Sequence, residues 1–400
     1  MLNPLSKIKV IDLTNVLSGP FCGHLLAHMG AEVIKVETPL TGDLARQLGA
    51  SQELNKKKMG VSFLAQNAGK KSLTINLKSS EGKEIFKRLV RSADVLIENF
   101  RPGVMDRLGL GFDDLKMENT SLVYCAISGL GATGPVRNQP AYDQIIQGMS
   151  GVMSITGAAD NAPYRVGYPI ADTVGGMSAA FAITSMLAGR RPGHDAAVFI
   201  DVSMLASTIA TMGWVVSNYL IAGKEPAPMG NDNFTASPSG TFRTKEGLLN
   251  IAANKQEQFE ALCKIVGRPE VIDDARFSLR QARLDHRREL QEILEEALAE
   301  KSASEWEKLM NPAGVPAGCV LTVPEALNHP HLVTRGMIGV YDDVPDVGTV
   351  KVFRPGFKLN GFAPQVDTPP PTLGQHSDEI LHNLGYDDDE IEQLRASKAI

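Results

Sequence analysis

KVIDLTNVLSGPFCGHLLAHMGAEVIKVE (Lys9–Glu37) is the stretch on which the fold depends. Lys9–Leu13 is a short apolar run rich in β-branched residues, which reads as a buried strand. A turn around Ser18, Gly19 and Pro20 leads into a helix from Phe21 to Met29, and Gly30 stops it. Glu32–Glu37 returns to strand. Strand, helix and strand in succession make one βαβ unit, the repeating element of a parallel sheet.

The pattern recurs outward from there. Ser72–Leu77 reads as a strand and Ser80–Ser92 as a helix, with Glu81 and Glu84 early and Lys87, Arg88 and Arg91 late, as the helix dipole favours. Asp94–Glu98 is a strand that ends in Asn99-Phe100-Arg101-Pro102-Gly103, and Ser121–Ile127 is another. Asp195–Val202 reads as a further strand, followed by a helix from Met204 to Leu220. This alternation predicts a doubly wound α/β domain. Its ligand crevice lies beyond the carboxyl ends of the strands, at Asn15–Ser18, Glu37–Thr38, Glu98–Arg101 and Ser128–Gly134. Pro39–Asn67 is polar and irregular, a long surface excursion. Gly223–Gly240 reads as a linker. Beyond it, a strand pair in Thr241–Ala252 and helices at Lys255–Val266, Arg287–Ala299 and Ala303–Met310 make a small α+β domain. Gly314–Ala326 leads out of it, Gly348–Phe362 alternates like strand, and Ser377–Ala396 reads as two helices. The expected division is therefore 1–222, 223–330 and 331–400.

Four hundred residues, 43% hydrophobic and 22% charged, suit a soluble globular protein with a large and a smaller domain. A net charge of −6 argues against bulk nucleic-acid binding. No run approaches the ~18 uncharged apolar residues of a membrane span, so no membrane partner is expected. Met1–Ile11 lacks the apolar core of a signal peptide, which points to a cytoplasmic location. Cys22, Cys125, Cys263 and Cys319 are scattered without ligand spacing, so free thiols are expected and no metal site. Gly129-Leu-Gly131-Ala-Thr-Gly134 has the spacing of a dinucleotide fingerprint, but Pro135 and Pro140 follow where a helix has to open. Nicotinamide binding is not expected.

Asp172 stands out within GYPIADTVGGMSAA. Tyr168–Ala171 reads as extended, β-like before Pro169, and small apolar residues continue to Leu187 as a buried helix stopped at Gly189 and Pro192. Asp172 therefore falls at a helix start. It is either a plain N-cap or a carboxylate held at a positive helix end in a glycine-lined crevice, available as a nucleophile.

The chain resembles the class III (CaiB/BaiF-type) CoA-transferase family, with alpha-methylacyl-CoA racemases as relatives. The opening VIDLTNVLSGPFCGHLLAHMGAEVIKVE, GDLAR (Gly42–Arg46), SLTINLKSSEGKEIFKRLVRSADVLIENFRPGVMDRLGLGFDDL, AYDQIIQGMSG, GYPIADTVGGMSAA, GVPAGCV and Gly374-Gln375-His376 carry the likeness over essentially the whole chain. The resemblance implies a Rossmann-like large domain built from both ends of the chain, a smaller domain from its middle, and an interlocked homodimer. It implies no permanently bound cofactor; coenzyme A enters as part of the acyl-CoA substrate, with a free carboxylic acid as partner substrate.

By the same resemblance Asp172 is the catalytic aspartate, passing through an aspartyl anhydride and an aspartyl-CoA thioester. Asn15, Val16, Ile75, Lys78, Asn99, Phe100, Arg101 and Arg107 match CoA contacts, and Tyr142 a tyrosine near the thioester. Backbone N–H groups near Gly175 and Gly176 are expected to support developing negative charge. Two departures stand out: Thr38 replaces a nucleotide-contacting arginine of formyl-CoA transferases, and their glycine-rich flap has no counterpart in Gly230–Gly240. Arg46, Lys56–Lys58 and Arg165 are candidates for the distal carboxylate of a dicarboxylic donor such as succinyl-CoA. Two other functions stay open. Racemisation alpha to a thioester needs a base on each face of the carbon, and Tyr142-Asp143 stands where the racemase has His-Asp; neutral tyrosine is a poor proton acceptor near pH 7. The remaining alternative is a CoA-binding protein without turnover.

Overall fold

Among the residues described in this computed structural model, 2–190 and 196–400, the strands form three sheets. The largest contains β1 (Lys9–Leu13), β2 (Glu32–Glu37), β3 (Lys70–Thr74), β4 (Val95–Glu98), β5 (Val123–Ser128) and β6 (Val198–Ser203), all parallel in the order β3-β2-β1-β4-β5-β6. The fold is thus mixed α/β with a doubly wound sheet. Its central strands are buried on both faces, so VLIE is mostly apolar, and the charged Asp12, Lys35 and Glu37 of KVIDL and EVIKVE are buried in ion pairs. The predicted strand at Asp195 is seen from Val198; Asp195 and Pro192 lie outside the described residues.

One face of the sheet carries α1 (Ser18–His28), the other α2 (Ser80–Arg91). Ser79 caps α2 through a bond from Gly82 N to its hydroxyl, and Ile85, Phe86, Leu89 and Val90 form the buried stripe. After β5 come α3 (Asp143–Met149), α4 (Ile170–Ala188), α5 (Met204–Thr211) and α6 (Trp214–Ala222). Helix α4 has the length and apolar composition of a membrane span, contrary to the expectation that no segment approaches one. One stripe of it, Ala171, Gly175, Gly176, Ala179, Ala180 and Ile183, is buried against α1 and the sheet.

The chain divides into two compact units. One comprises Met1–Val152, Arg165–Lys224 and Val333–Ile400; the other comprises Met153–Tyr164 and Glu225–Leu332. The cuts fall two residues beyond the expected ones, and 153–164 goes with the second unit, which no composition change announces. The second unit has an antiparallel sheet of β7 (Ser239–Arg243), β8 (Leu248–Ala252) and β9 (Ala317–Cys319). Packed on it are α7 (Gln256–Ile265), α8 (Arg287–Leu298) and α9 (Ala303–Met310) around Phe259, Leu290, Leu294 and Trp306. In the first unit the late segments form a hairpin of β10 (Ile338–Val344) and β11 (Gly348–Phe353), then α10 (Ser377–Asn383) and α11 (Asp388–Ala396). Leu381 and Ile391 from these helices join the core of β1, β2 and α2.

The Pro39–Asn67 excursion is corrected. It contains short helices at Gln52–Lys56 and Val61–Leu64, and Met59, Phe63 and Leu64 are buried. Its polar appearance arises from residues such as Arg46 that are themselves buried and paired.

Candidate active site

The carboxyl ends of β1, β4 and β5 open onto a cavity of about 380 Å³ lined by Asn15, Val16, Leu17, Ser18, Leu44, Asn99, Phe100, Arg101, Pro102, Ile127–Leu130, Arg137, Gln139, Ala141, Tyr142, Asp172 and Met204. Parallel strands point their free carbonyl ends and following loops to this edge. Of the residues singled out in the sequence, Asn15, Val16, Asn99, Phe100, Arg101, Tyr142 and Asp172 therefore share one space. Ile75, Lys78 and Arg107 are not among its walls. Ile75 is 2% exposed and packs into the core of α2, its N–H bonded to Glu37 O at 2.8 Å. Lys78 and Arg107 are solvent-exposed and make no ion pair with a described residue.

Asp172 is not the cap of its helix. Pro169 holds the N-cap position, and Asp172 is the third helical residue. The cap comes from outside: Asp143 Oδ1 accepts from Ala171 N at 2.9 Å and from Asp172 N at 3.4 Å, while its Oδ2 accepts from Gln147 Nε2 at 2.7 Å. Asp143 does for α4 what a capping side chain does, supplying negative charge to unpaired N–H groups. That leaves the Asp172 carboxylate free; no described residue donates a hydrogen bond to it. Burial, with the Asp143 charge as the lesser cause, pushes its pKa up from 3.8 to about 7. Such a carboxyl is a stronger base than an exposed one and faces an open cavity.

Gly175 and Gly176 lie inside α4, where they have a packing role. A Cβ at Gly176 meets Ser18 O at 2.4 Å, and one at Gly175 meets Met204 Cγ at 2.9 Å. They let α4 lie against α1 and α5 and so set where Asp172 sits.

The cavity floor, Asn15–Ser18, is held by side chains from three directions. Asn99 Oδ1 accepts from Asn15 N and Asn99 Nδ2 donates to Asn15 O, both at 2.8 Å. Asp43 Oδ1 accepts from Val16 N at 2.9 Å. Lys35 Nζ donates to Thr14 O at 2.9 Å and pairs with Asp43 Oδ2 at 2.9 Å. On the neighbouring wall Phe100 N donates to Glu98 Oε2 at 2.7 Å, and burial pushes Glu98 up to about 8. Lys35, Arg137 and Gln139 were not found from the sequence; Asp43 and Asp143 were visible inside the motifs, but which N–H groups their carboxylates hold was not.

The basic residues considered for a distal carboxylate lie elsewhere. Arg46 is fully buried, bidentate on Glu37 at 2.7 Å to each oxygen and stacked 3.6 Å above the Phe63 ring. Lys57 pairs with Glu53 at 2.9 Å, Lys58 donates to Leu40 O, and Arg165 donates to Val166 O at 3.2 Å. The cavity's own cations are Arg101 and Arg137, neither in an ion pair with a described residue. The glycine run at 129–134 bends without opening a helix: Gly131 and Gly134 have φ of +87° and +97°, and the next helix begins at Asp143.

Comparison with known proteins places these features in a family. The model of CoA-transferase family III matches residues 5–377. A succinyl-CoA:glutarate CoA-transferase of Mus musculus is 36% identical over 401 residues, covering 100% of this chain and 91% of the relative. A succinyl-CoA--D-citramalate CoA-transferase of Chloroflexus aurantiacus is also 36% identical, covering 99% and 98%. Among solved structures, a CAIB/BAIF family protein from Brucella suis superposes with a TM-score of 0.84 at 34% identity, covering 96% of this chain and all of that one.

Proposed function

The chain belongs to CoA-transferase family III and is a CoA-transferase, and from that premise we propose that Asp172 carries the CoA as a covalent nucleophile. The observation that supports this most directly is the unpaired, desolvated Asp172 carboxylate facing the cavity at the strand ends. Its oxygen attacks the thioester carbonyl; a C–O bond forms, the C–S bond breaks, and CoA thiolate leaves a mixed anhydride. The thiolate then attacks the aspartyl carbonyl, releasing the donor acid and leaving an aspartyl-CoA thioester. The acceptor carboxylate attacks that thioester to give a second anhydride, and the thiolate returns to the acceptor's acyl carbon. Asp172 is regenerated with no net proton change. Each step exchanges acyl groups of similar reactivity, which is how covalent catalysis divides a difficult exchange. Trapping with acyl-CoA plus hydroxylamine or borohydride, followed by mass spectrometry, locates the modification at Asp172. Modification elsewhere, or full transfer by Asp172→Ala, overturns the assignment.

We propose a dicarboxylic donor such as succinyl-CoA, with Arg137 or Arg101 pairing with the far carboxylate. Two full-length relatives carry succinyl-CoA in their names, and these guanidinium groups are free to accept a bidentate partner. A panel of succinyl-, glutaryl-, butyryl- and acetyl-CoA against matched acids reads this out. Arg137→Ala lowers kcat/KM for succinyl-CoA on the order of tenfold more than for butyryl-CoA; equal kcat/KM for the two esters in the unsubstituted enzyme rejects the dicarboxylate reading.

Racemisation is disfavoured because both Asp143 oxygens are engaged in capping α4 and holding Gln147. Deuterium wash-in at the alpha carbon without CoA transfer reverses that choice. We also propose that two copies form a homodimer in the cytoplasm. Phe181, Trp214 and Ile221 are 75%, 74% and 86% exposed on α4 and α6, an apolar surface suited to a partner subunit; a monomer mass in light scattering rejects it.

A further inference from the structure

We propose that the buried Lys35–Asp43 pair is a positioning device that forces Val16 into a strained backbone and thereby shapes the floor on which the CoA thioester rests. The inference rests on the reading of the cavity given above, and it gives the pair that holds that floor a consequence for substrate binding.

Val16 has φ +68°. For a β-branched residue this is a genuine outlier, because its Cβ substituents crowd the backbone in the left-handed region. Such a conformation persists only where surrounding contacts over-determine it. Those contacts are present. Asp43 Oδ1 takes the Val16 N–H at 2.9 Å, and the same oxygen takes Ala45 N at 2.8 Å. Asp43 Oδ2 lies 2.9 Å from Lys35 Nζ, and both side chains are fully buried. The second anchor of Lys35 is Thr14 O at 2.9 Å, two residues before Val16. Asp43 N donates to Glu37 Oε1 at 3.0 Å, which fixes the carboxylate's own backbone to the end of β2.

The ion pair thus grips the chain on both sides of Asn15, while Asn99 grips Asn15 itself. A buried charge pair whose ammonium is held by both Asp43 Oδ2 and Thr14 O, and whose other carboxylate oxygen takes two backbone N–H groups, has little freedom to rearrange. Residues 15–18 line the cavity beside Asp172. A loop released from the clamp relaxes to negative φ at Val16, swings its backbone out of line, and offers the thioester a different floor.

The test removes the pair as a unit, Lys35→Met with Asp43→Ala, so that no unpaired charge stays buried. The expected result is a rise in KM for acyl-CoA on the order of tenfold, larger than the fall in kcat, because positioning is lost while the nucleophile remains. Adding Val16→Gly to that background recovers several-fold of the lost KM, since glycine adopts positive φ without a clamp to enforce it. Wild-type KM in the pair variant overturns the proposal, and so does an added glycine that recovers nothing. If the pair variant does not fold, Val16→Pro leaves every buried charge paired but imposes φ near −65° and deletes the clamped N–H. It is expected to raise KM by a similar factor, and unaltered KM overturns the clamp. Asp172→Ala serves as the separate control. Full transfer by that variant overturns the reading of the cavity, whereas an inactive Asp172→Ala beside a pair variant of wild-type KM overturns the clamp alone.

Discussion

Asp172 combines two influences that oppose each other. Its place in the first turn of α4 favours negative charge, but burial and the neighbouring Asp143 charge dominate and raise its pKa to about 7. Since the proposed attack requires the carboxylate, kcat/KM for the first half-reaction is expected to rise with pH up to about 7 and to level off above it. A profile flat from pH 5 to 8 excludes Asp172 as the group that titrates. Stability runs the other way. The unfolded carboxyl loses its proton near 3.8 and the folded one near 7, so between them the native state holds the extra proton and stability falls as pH rises. Asp172→Asn is expected to abolish transfer yet stabilise the fold by roughly 1–3 kcal/mol at pH 8, a gain that vanishes toward pH 4 in thermal melts. Asp143→Asn removes the nearby charge and is expected to move the acidic limb of the rate profile to lower pH.

At the scale of elements, α4 is the part whose placement matters most. That a helix follows was legible in the small apolar run, but its start was read at Asp172 with Ile170 and Ala171 extended, two residues late; its cap was not legible, because Asp143 lies 28 residues from Ala171 in sequence. The glycine pair is the complementary case. Gly176 has no special φ; it is required because Ser18 O lies where a Cβ goes. Gly176→Ala is therefore expected to push α4 from α1, costing roughly 1–3 kcal/mol in denaturant unfolding. Its fall in kcat is expected to be larger than any change in acyl-CoA KM, because Asp172, the nucleophile proposed above, moves with its helix. Strands β1, β2, β4 and β5 were predicted within two residues, since a buried parallel strand has no polar face to confuse its pattern. The 39–67 segment was misjudged for the opposite reason: two of its charges, Asp43 and Arg46, are buried, and a charged residue in sequence does not reveal whether it has a partner.

Arg46 carries that point to the whole molecule. It binds Glu37 at the end of β2, Lys58 O and Pro371 O, joining the early and late segments of the first unit. It is a structural tie and no substrate ligand. Arg46→Ala leaves Glu37 as a buried uncompensated charge and is expected to cost about 3–5 kcal/mol with a matching loss of melting temperature. Any enzyme that survives is expected to keep the donor preference of the parent; altered preference returns Arg46 to the substrate site. Periodicity and turn residues alone determined the alternating α/β plan, the crevice at the strand ends and a second, smaller domain, because these follow from local burial and backbone preference. Family motifs singled out Asp172. Only the tertiary structure decided that Asp172 is free and Asp143 is the cap, that Ile75 faces the core, and that Arg137 rather than Arg46 reaches the cavity. Those outcomes depend on which distant side chain satisfies each buried polar group, and sequence separation carries no record of that.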